Sequence, residues 1–209
     1  DIDYNIPGIL MIDTPGHESF SNLRHRGSSL CDIAILIVDI VHGLEKQTIE
    51  SIKILKEKKI PFVIALNKID RIYDWKPIKD ASIDQTIKQQ KKHCIEELES
   101  RVVGIKNELA EQGLNTQVYM KNKQLKQVYS LVPVSAITGE GIPDLLALMV
   151  FLTQKWMTKK LTISEELECS VMEVKTEEGL GTTLDVILSD GISCMIISTI
   201  SDLISPSSL

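Results

Sequence analysis

Four apolar runs, each delivering the chain into a short loop rich in Asp, Asn, Ser or Gly, restrict the possible folds more than any other feature. Ile9–Ile12 (ILMI) runs into Asp13-Thr14-Pro15-Gly16-His17, and Cys31–Val41 (CDIAILIVDIV) into His42-Gly43. Pro61–Leu66 (PFVIAL) runs into Asn67-Lys68-Ile69-Asp70, and Val128–Val134 (VYSLVPV) into Ser135-Ala136. Continuous runs of this kind predict strands buried on both faces, and Cys31–Val41 has the β-branched density of a central one. Helical patterns alternate with them, which predicts an α/β chain with a doubly wound, mainly parallel sheet. In such sheets ligands bind at the carboxyl ends of the strands, where the distinctive residues stand here.

The intervening segments read as helices. Glu18–Gly27 ends in Arg24-His25-Arg26-Gly27, cations followed by a terminating glycine. Glu45–Lys58 is amphipathic through Ile49, Ile52 and Leu55. Ala81–Gly113 reads as one long helix whose Ile95, Leu98, Val102, Ile105 and Leu109 step by three and four. That seam is too short for a coiled coil and is expected to lie against its own domain. A polar link with Lys121, Lys123 and Lys126 leads to the fourth run, and Ile142–Thr158 closes the unit as an apolar-rich helix. Beyond Leu161 the texture changes: Leu167–Lys175 and Thr182–Leu188 flank a Gly179-Leu180-Gly181 turn with no helix between them. The pattern predicts a first domain over 1–158 and the start of a β domain over 162–209, with an atypical tail from about residue 192.

The loops carry chemistry. Asp13 at a strand tip suits a hard cation such as Mg²⁺ reached through water, and Gly16 leaves a backbone N–H free to approach a phosphate oxygen. His17 would stand beside the terminal phosphate, where a neutral imidazole can orient an attacking water. A carboxylate at Asp70 can accept from both N1–H and the exocyclic amine of guanine, a pair adenine does not offer. Lys68 can lay its aliphatic stem over a purine, and Asn67 can tie neighbouring loops together. At Ser135-Ala136 a small side chain lets a backbone N–H reach guanine O6. Each loop taken singly is ordinary turn composition; the three in this order, each at a strand end, point to a GTPase.

Asp13-Thr14-Pro15-Gly16-His17 resembles the switch II signature of translational GTPases, which carry His where Ras-type proteins use a water-orienting Gln. The wider text through Ile52, with NKIDRIYDW, SAITGEGIPDLL and ELECSVMEVKTEEGLGTTLDV, resembles the family of eukaryotic initiation factor five B and bacterial initiation factor two, over about residues 5–190. The resemblance implies a P-loop-type GTPase domain followed by a β-barrel. It implies a cytoplasmic factor that binds GTP or GDP with Mg²⁺, engages both ribosomal subunits and an initiator tRNA complex, promotes subunit joining and hydrolyses GTP. Asp13 would hold Mg²⁺ through water, and Thr14 and Pro15 would bind the nucleotide with it. Gly16 would contact the γ-phosphate, and His17 would be catalytic. Asn67, Lys68, Asp70, Ser135 and Ala136 would bind guanine. Two other readings stay open at this point, another translational GTPase and a non-catalytic binding module.

The 209 residues contain no G-x-x-x-x-G-K-[S/T] phosphate loop and no switch I segment, and the text after Ser189-Asp190-Gly191 departs from the family pattern. The chain therefore reads as cut at its start and is expected to be inactive alone. A net charge of -6 and pI near 5.3 argue against a general nucleic-acid or DNA surface. Cys31, Cys94, Cys169 and Cys194 are too scattered for a zinc motif or disulfide framework. No apolar run reaches the ~18 residues of a membrane span, no signal peptide opens the chain, and a monomer is expected.

Overall fold

A computed structural model describes residues 5–6, 8–13, 31–157, 168–177, 179 and 181–190. Its main unit is a parallel sheet of β1 (Ala34–Asp39), β2 (Phe62–Asn67), β3 (Thr116–Val118) and β4 (Tyr129–Pro133), in the order β1-β2-β4-β3. Helix α1 (Lys46–Glu57) connects β1 to β2, α2 (Ile83–Gln89) and α3 (Lys92–Glu111) lie between β2 and β3, and α4 (Ile142–Trp156) follows β4.

Strand β2 sits at the centre because every residue from Phe62 to Leu66 is buried. Phe62, Ile64 and Leu66 join a core with Ile52 and Leu55 of α1 and Leu98, Val102, Ile105 and Leu109 of α3. Val63 and Ala65 face the other way, packing with Val132, Leu145, Leu148 and Leu152. The period of two thus splits one apolar run between two helical layers. The α3 stripe packs against its own sheet, although Cys94 takes the buried place expected of Ile95.

Four expectations need correction. Ile9–Ile12 forms no strand: residues 8–13 have no regular structure, and Leu10 and Met11 are 74% and 69% exposed. Their apolar character marks a segment able to enter a sheet, but a strand exists only with a partner to bond, and no described strand pairs with it. Among the described residues β1 likewise lies at the sheet edge rather than at a central position. There it pairs with β2 alone, and Ile37 is 61% exposed.

The third correction splits the long helix in two. Gln90 and Lys91 are extended, and the buried Gln90 side chain bonds both backbone groups of Lys76, donating from Nε2 at 2.7 Å and accepting at Oε1 at 2.9 Å. That cross-link to another segment outweighs continuing the helix. Fourth, the polar link hides β3, whose Thr116–Val118 pairs with Tyr129–Leu131.

A separate antiparallel hairpin joins β5 (Glu168–Glu177) to β6 (Gly181–Asp190); β5 runs on past the expected Lys175 to Glu177, and β6 begins before the expected Thr182 and ends beyond Leu188. Thr14, Pro15, Gly16, His17, the expected helix Glu18–Gly27, the domain boundary near 158–162 and the tail from 192 lie outside the described residues. No described helix is long and apolar enough to cross a membrane.

Candidate functional site

Two loops at the carboxyl end of the sheet are locked to each other. Asn67, the last residue of β2, accepts at Oδ1 from its neighbour Lys68 N–H at 2.8 Å and from Ala136 N–H at 3.0 Å. Ser135, fully buried after β4, donates from Oγ to Asp70 Oδ1 at 2.5 Å. The same Oγ accepts from the N–H groups of Ile137 and Thr138, at 3.3 and 3.2 Å. With its lone pairs used by two amides, the hydroxyl proton has one direction left, towards Asp70. Asp70 is thereby fixed through one oxygen and keeps acceptor capacity on the carboxylate for a ligand.

Of the two backbone N–H groups at Ser135-Ala136, one of which was expected to reach guanine O6, that of Ala136 donates to Asn67 Oδ1 and that of Ser135 to Glu140 O. Asn67 therefore does the tying expected of it, and uses the Ala136 amide to do so. Lys68 has a left-handed backbone, φ 72°, which turns the chain abruptly out of β2. Its Nζ lies 2.6 Å from Asp39 Oδ2.

Asp39 was not among the residues singled out from sequence. It ends β1 beside the Asn67 end of β2, accepts from Val41 N–H at 2.8 Å, and pairs with His42 Nδ1 at 2.8 Å. A carboxylate terminating an apolar run was the available signal, hidden because the run continues through Ile40 and Val41. Burial opposes ionisation of Asp39, but bonds from Lys68, His42 and the Val41 amide outweigh it and hold the carboxyl well below its usual range. A depressed folded-state pKa stabilises the fold above the unfolded value, and that stability is lost as pH falls through the folded one. Asp39→Asn is therefore expected to cost roughly 1–3 kcal/mol at neutral pH, nearer the lower figure because Lys68 is partly solvated, with the difference from wild type shrinking below about pH 4. Denaturant midpoints across pH check this.

The loop after β4 is built around another carboxylate. Glu140 is fully buried and accepts at Oε1 from Trp75 Nε1 (3.3 Å) and Ile78 N–H (3.1 Å), and at Oε2 from Thr138 Oγ1 (2.5 Å). Flanking Gly139 and Gly141 have φ of 79° and 70°. A Cβ at Gly141 would meet Pro133 O at 2.1 Å. The Thr-Gly-Glu-Gly text is thus the frame that holds Ser135 and Ala136 in place.

Asp13 is exposed and makes no hydrogen bond or ion pair with another described residue. The structure brings Asn67, Lys68, Asp70, Ser135 and Ala136 together and does not link Asp13 to them. A cleft of about 180 Å³ lined by Ile37, Asp39, Glu45, Thr48, Asn67 and Lys68 opens beside the lock. A larger cavity, about 480 Å³, lies against Lys106, Asn115, Thr116, Lys121 and Gln124 and includes none of the expected site residues.

Known proteins resemble the chain over most of its length. The model of the elongation factor Tu GTP binding domain matches residues 1–155. Eukaryotic translation initiation factor 5B of Saccharomyces cerevisiae is 58% identical over 188 residues, 90% of this chain and 19% of that protein. A probable translation initiation factor IF-2 of Staphylothermus marinus is 51% identical over 190 residues, 91% of this chain and 31% of that protein. The crystal structure of GDP-bound aIF5B from Aeropyrum pernix superposes with a TM-score of 0.83 at 47% identity, covering 91% of this chain and 32% of that one. The chain spans less than a third of each of these relatives.

Proposed function

The chain belongs to the elongation factor Tu GTP-binding domain family and is homologous to the 5B and IF-2 initiation GTPases, and on that premise we propose that it is the base-binding part of a longer, ribosome-dependent initiation factor. The observation that carries the proposal is the pair of cross-loop bonds, Ser135 to Asp70 and Ala136 to Asn67. They join the two loops that would hold guanine before any ligand arrives, so little ordering cost falls on binding.

In this reading Asp70 accepts from guanine N1–H and the 2-amino group, and Lys68, steered by Asp39, lays its stem along the ring. Thr14, Pro15 and Gly16 form the turn beside the γ-phosphate, and His17 holds the attacking water. Asp13, an exposed oxygen donor, fits water-mediated contact with Mg²⁺. Held there through Asp13, the ion would supply positive charge that offsets the charge of the phosphates. The full-length protein acts in the cytoplasm, binds GTP and GDP, promotes joining of the ribosomal subunits over initiator tRNA, and hydrolyses GTP.

Phosphate contacts supply most of the stabilisation in phosphoryl transfer, and the 209 residues contain no phosphate loop. This chain by itself is therefore expected to turn over GTP at the uncatalysed rate, whereas the full-length protein with ribosomes hydrolyses it and loses that activity on His17→Ala. Phosphate release from the purified chain, abolished by the same substitution, would overturn the assignment of the missing contacts. A full-length protein indifferent to His17→Ala would overturn the catalytic role.

A further inference from the structure

Away from the nucleotide loops, Asp74, His93 and Cys94 place a carboxylate oxygen, an imidazole nitrogen and a sulfur within 4.8 Å of one another. His93 Nε2 lies 3.4 Å from Cys94 Sγ and 3.5 Å from Asp74 Oδ2. A tetrahedral Zn²⁺ with bonds of about 2.3 Å to sulfur and 2.0 Å to nitrogen and oxygen requires S···N near ~3.5 Å and N···O near ~3.3 Å. The two separations agree with those values to within about 0.2 Å, the tolerance a real site allows.

We propose that Asp74, His93 and Cys94 form a three-ligand site for Zn²⁺, with water in the fourth position. Several features support it. His93 and Cys94 occupy the first turn of α3, a fixed platform, while Asp74 comes from the loop after β2 and the 3₁₀ turn Ile69–Arg71. Bound zinc would clamp that loop to the helix. The site is open on one side, with His93 half exposed and Asp74 one-third exposed, and closed on the other by fully buried Cys94. The mixed sulfur, nitrogen and oxygen donors suit zinc rather than Mg²⁺ or Ca²⁺, which take oxygen ligands.

Two exchanges accompany binding. The Cys94 Sγ lies 3.4 and 3.5 Å from the carbonyl oxygens of Tyr73 and Asp74, to one of which its single proton is donated. On binding it gives up its proton to solvent and ligates as thiolate. Lys91 Nζ, 2.5 Å from Asp74 Oδ2, holds the carboxylate as a competing cation. Its side chain is 54% exposed and can withdraw into water. Neither exchange touches the base-binding loops, so the site stands whether or not the nucleotide reading does.

The test uses the whole 209-residue chain with Co²⁺ as the spectroscopic probe and Zn²⁺ as competitor. Expected are one equivalent of Co²⁺ showing thiolate-to-metal charge transfer and four-coordinate d–d absorption, with Zn²⁺ displacing it. Cys94→Ser removes the charge-transfer band. His93→Ala, at a half-exposed position where folding is not at stake, weakens binding at least about tenfold. Lys91→Met tightens it about two- to fivefold by removing the competitor, which a merely structural lysine would not do. A charge-transfer band surviving Cys94→Ser in folded protein, affinity unchanged by His93→Ala, or no thiolate-bound Co²⁺ in the wild type would each overturn the site.

Discussion

Asp70→Asn in the full-length protein is expected to exchange guanine for xanthine. Guanine presents two donors to this corner, N1–H and the 2-amino group, whereas xanthine presents N1–H and a carbonyl. The Ser135 hydroxyl, pinned by the amides of Ile137 and Thr138, must donate to residue 70 whatever occupies it. An Asn there would therefore keep its carbonyl towards Ser135 and place its NH₂ where Asp70 Oδ2 stood. That NH₂ opposes the guanine amine and complements the xanthine carbonyl. Two charge-assisted bonds at ~1.5–3 kcal/mol each set the loss for GDP at about 10²–10⁴-fold, with a matching gain for the xanthine nucleotide. Competition binding with both diphosphates measures it. Undiminished preference for GDP would mean that Asp70 does not read the base.

The second large effect concerns the frame rather than the contact. Gly141→Ala sets a Cβ 2.1 Å from a backbone oxygen, Pro133 O, at a residue whose φ of +70° already disfavours any side chain. Backbone strain of ~1–2 kcal/mol adds to a clash that no rotamer change relieves, giving a total of roughly 2–5 kcal/mol. In a chain of this size that lowers the melting midpoint by about 5–15 °C. Gly179→Ala is the control. Its φ is +88°, but among the described residues no atom beyond its chain neighbours lies within 4 Å of the added Cβ, so only the strain remains. Gly141 precedes α4 and follows Glu140, whose backbone carbonyl accepts from Ser135 N–H at 2.9 Å. Displacing it should therefore also weaken nucleotide binding, which Gly179→Ala leaves alone. Equal melting points for the two variants would show that the frame around Glu140 is softer than its bonding implies.

The parts of the fold that could be read from residues alone are those where composition and environment agree. PFVIAL is apolar throughout because β2 is buried on both faces, and NKID and SA stand at strand ends because apolar runs stop there. The reading failed where a residue's neighbours decide its state. AILIVD has the composition of a central strand yet lies at the edge of the sheet among the described residues, since composition does not report which strands pair with it. Thr116–Val118 is too short and polar to show a period, and is a strand only because Tyr129–Leu131 runs alongside it. The break at Gln90-Lys91 comes from a side chain reaching Lys76, fourteen residues away.

The site divides in the same manner. Residue types revealed Asn67, Asp70, Ser135 and Ala136 as candidates. Their mutual bonds, the steering of Lys68 by Asp39 and the burial of Glu140 are tertiary facts that no local pattern encodes.

The most direct test of the base seat is a titration of the isotopically labelled 209-residue chain with GDP, followed through its backbone amide resonances. Shifts concentrated at residues 67–70 and 135–138, with none there on adding ADP, are the predicted result. Shifts centred instead on the cavity beside Lys106 and Gln124, or identical responses to the two nucleotides, would contradict it.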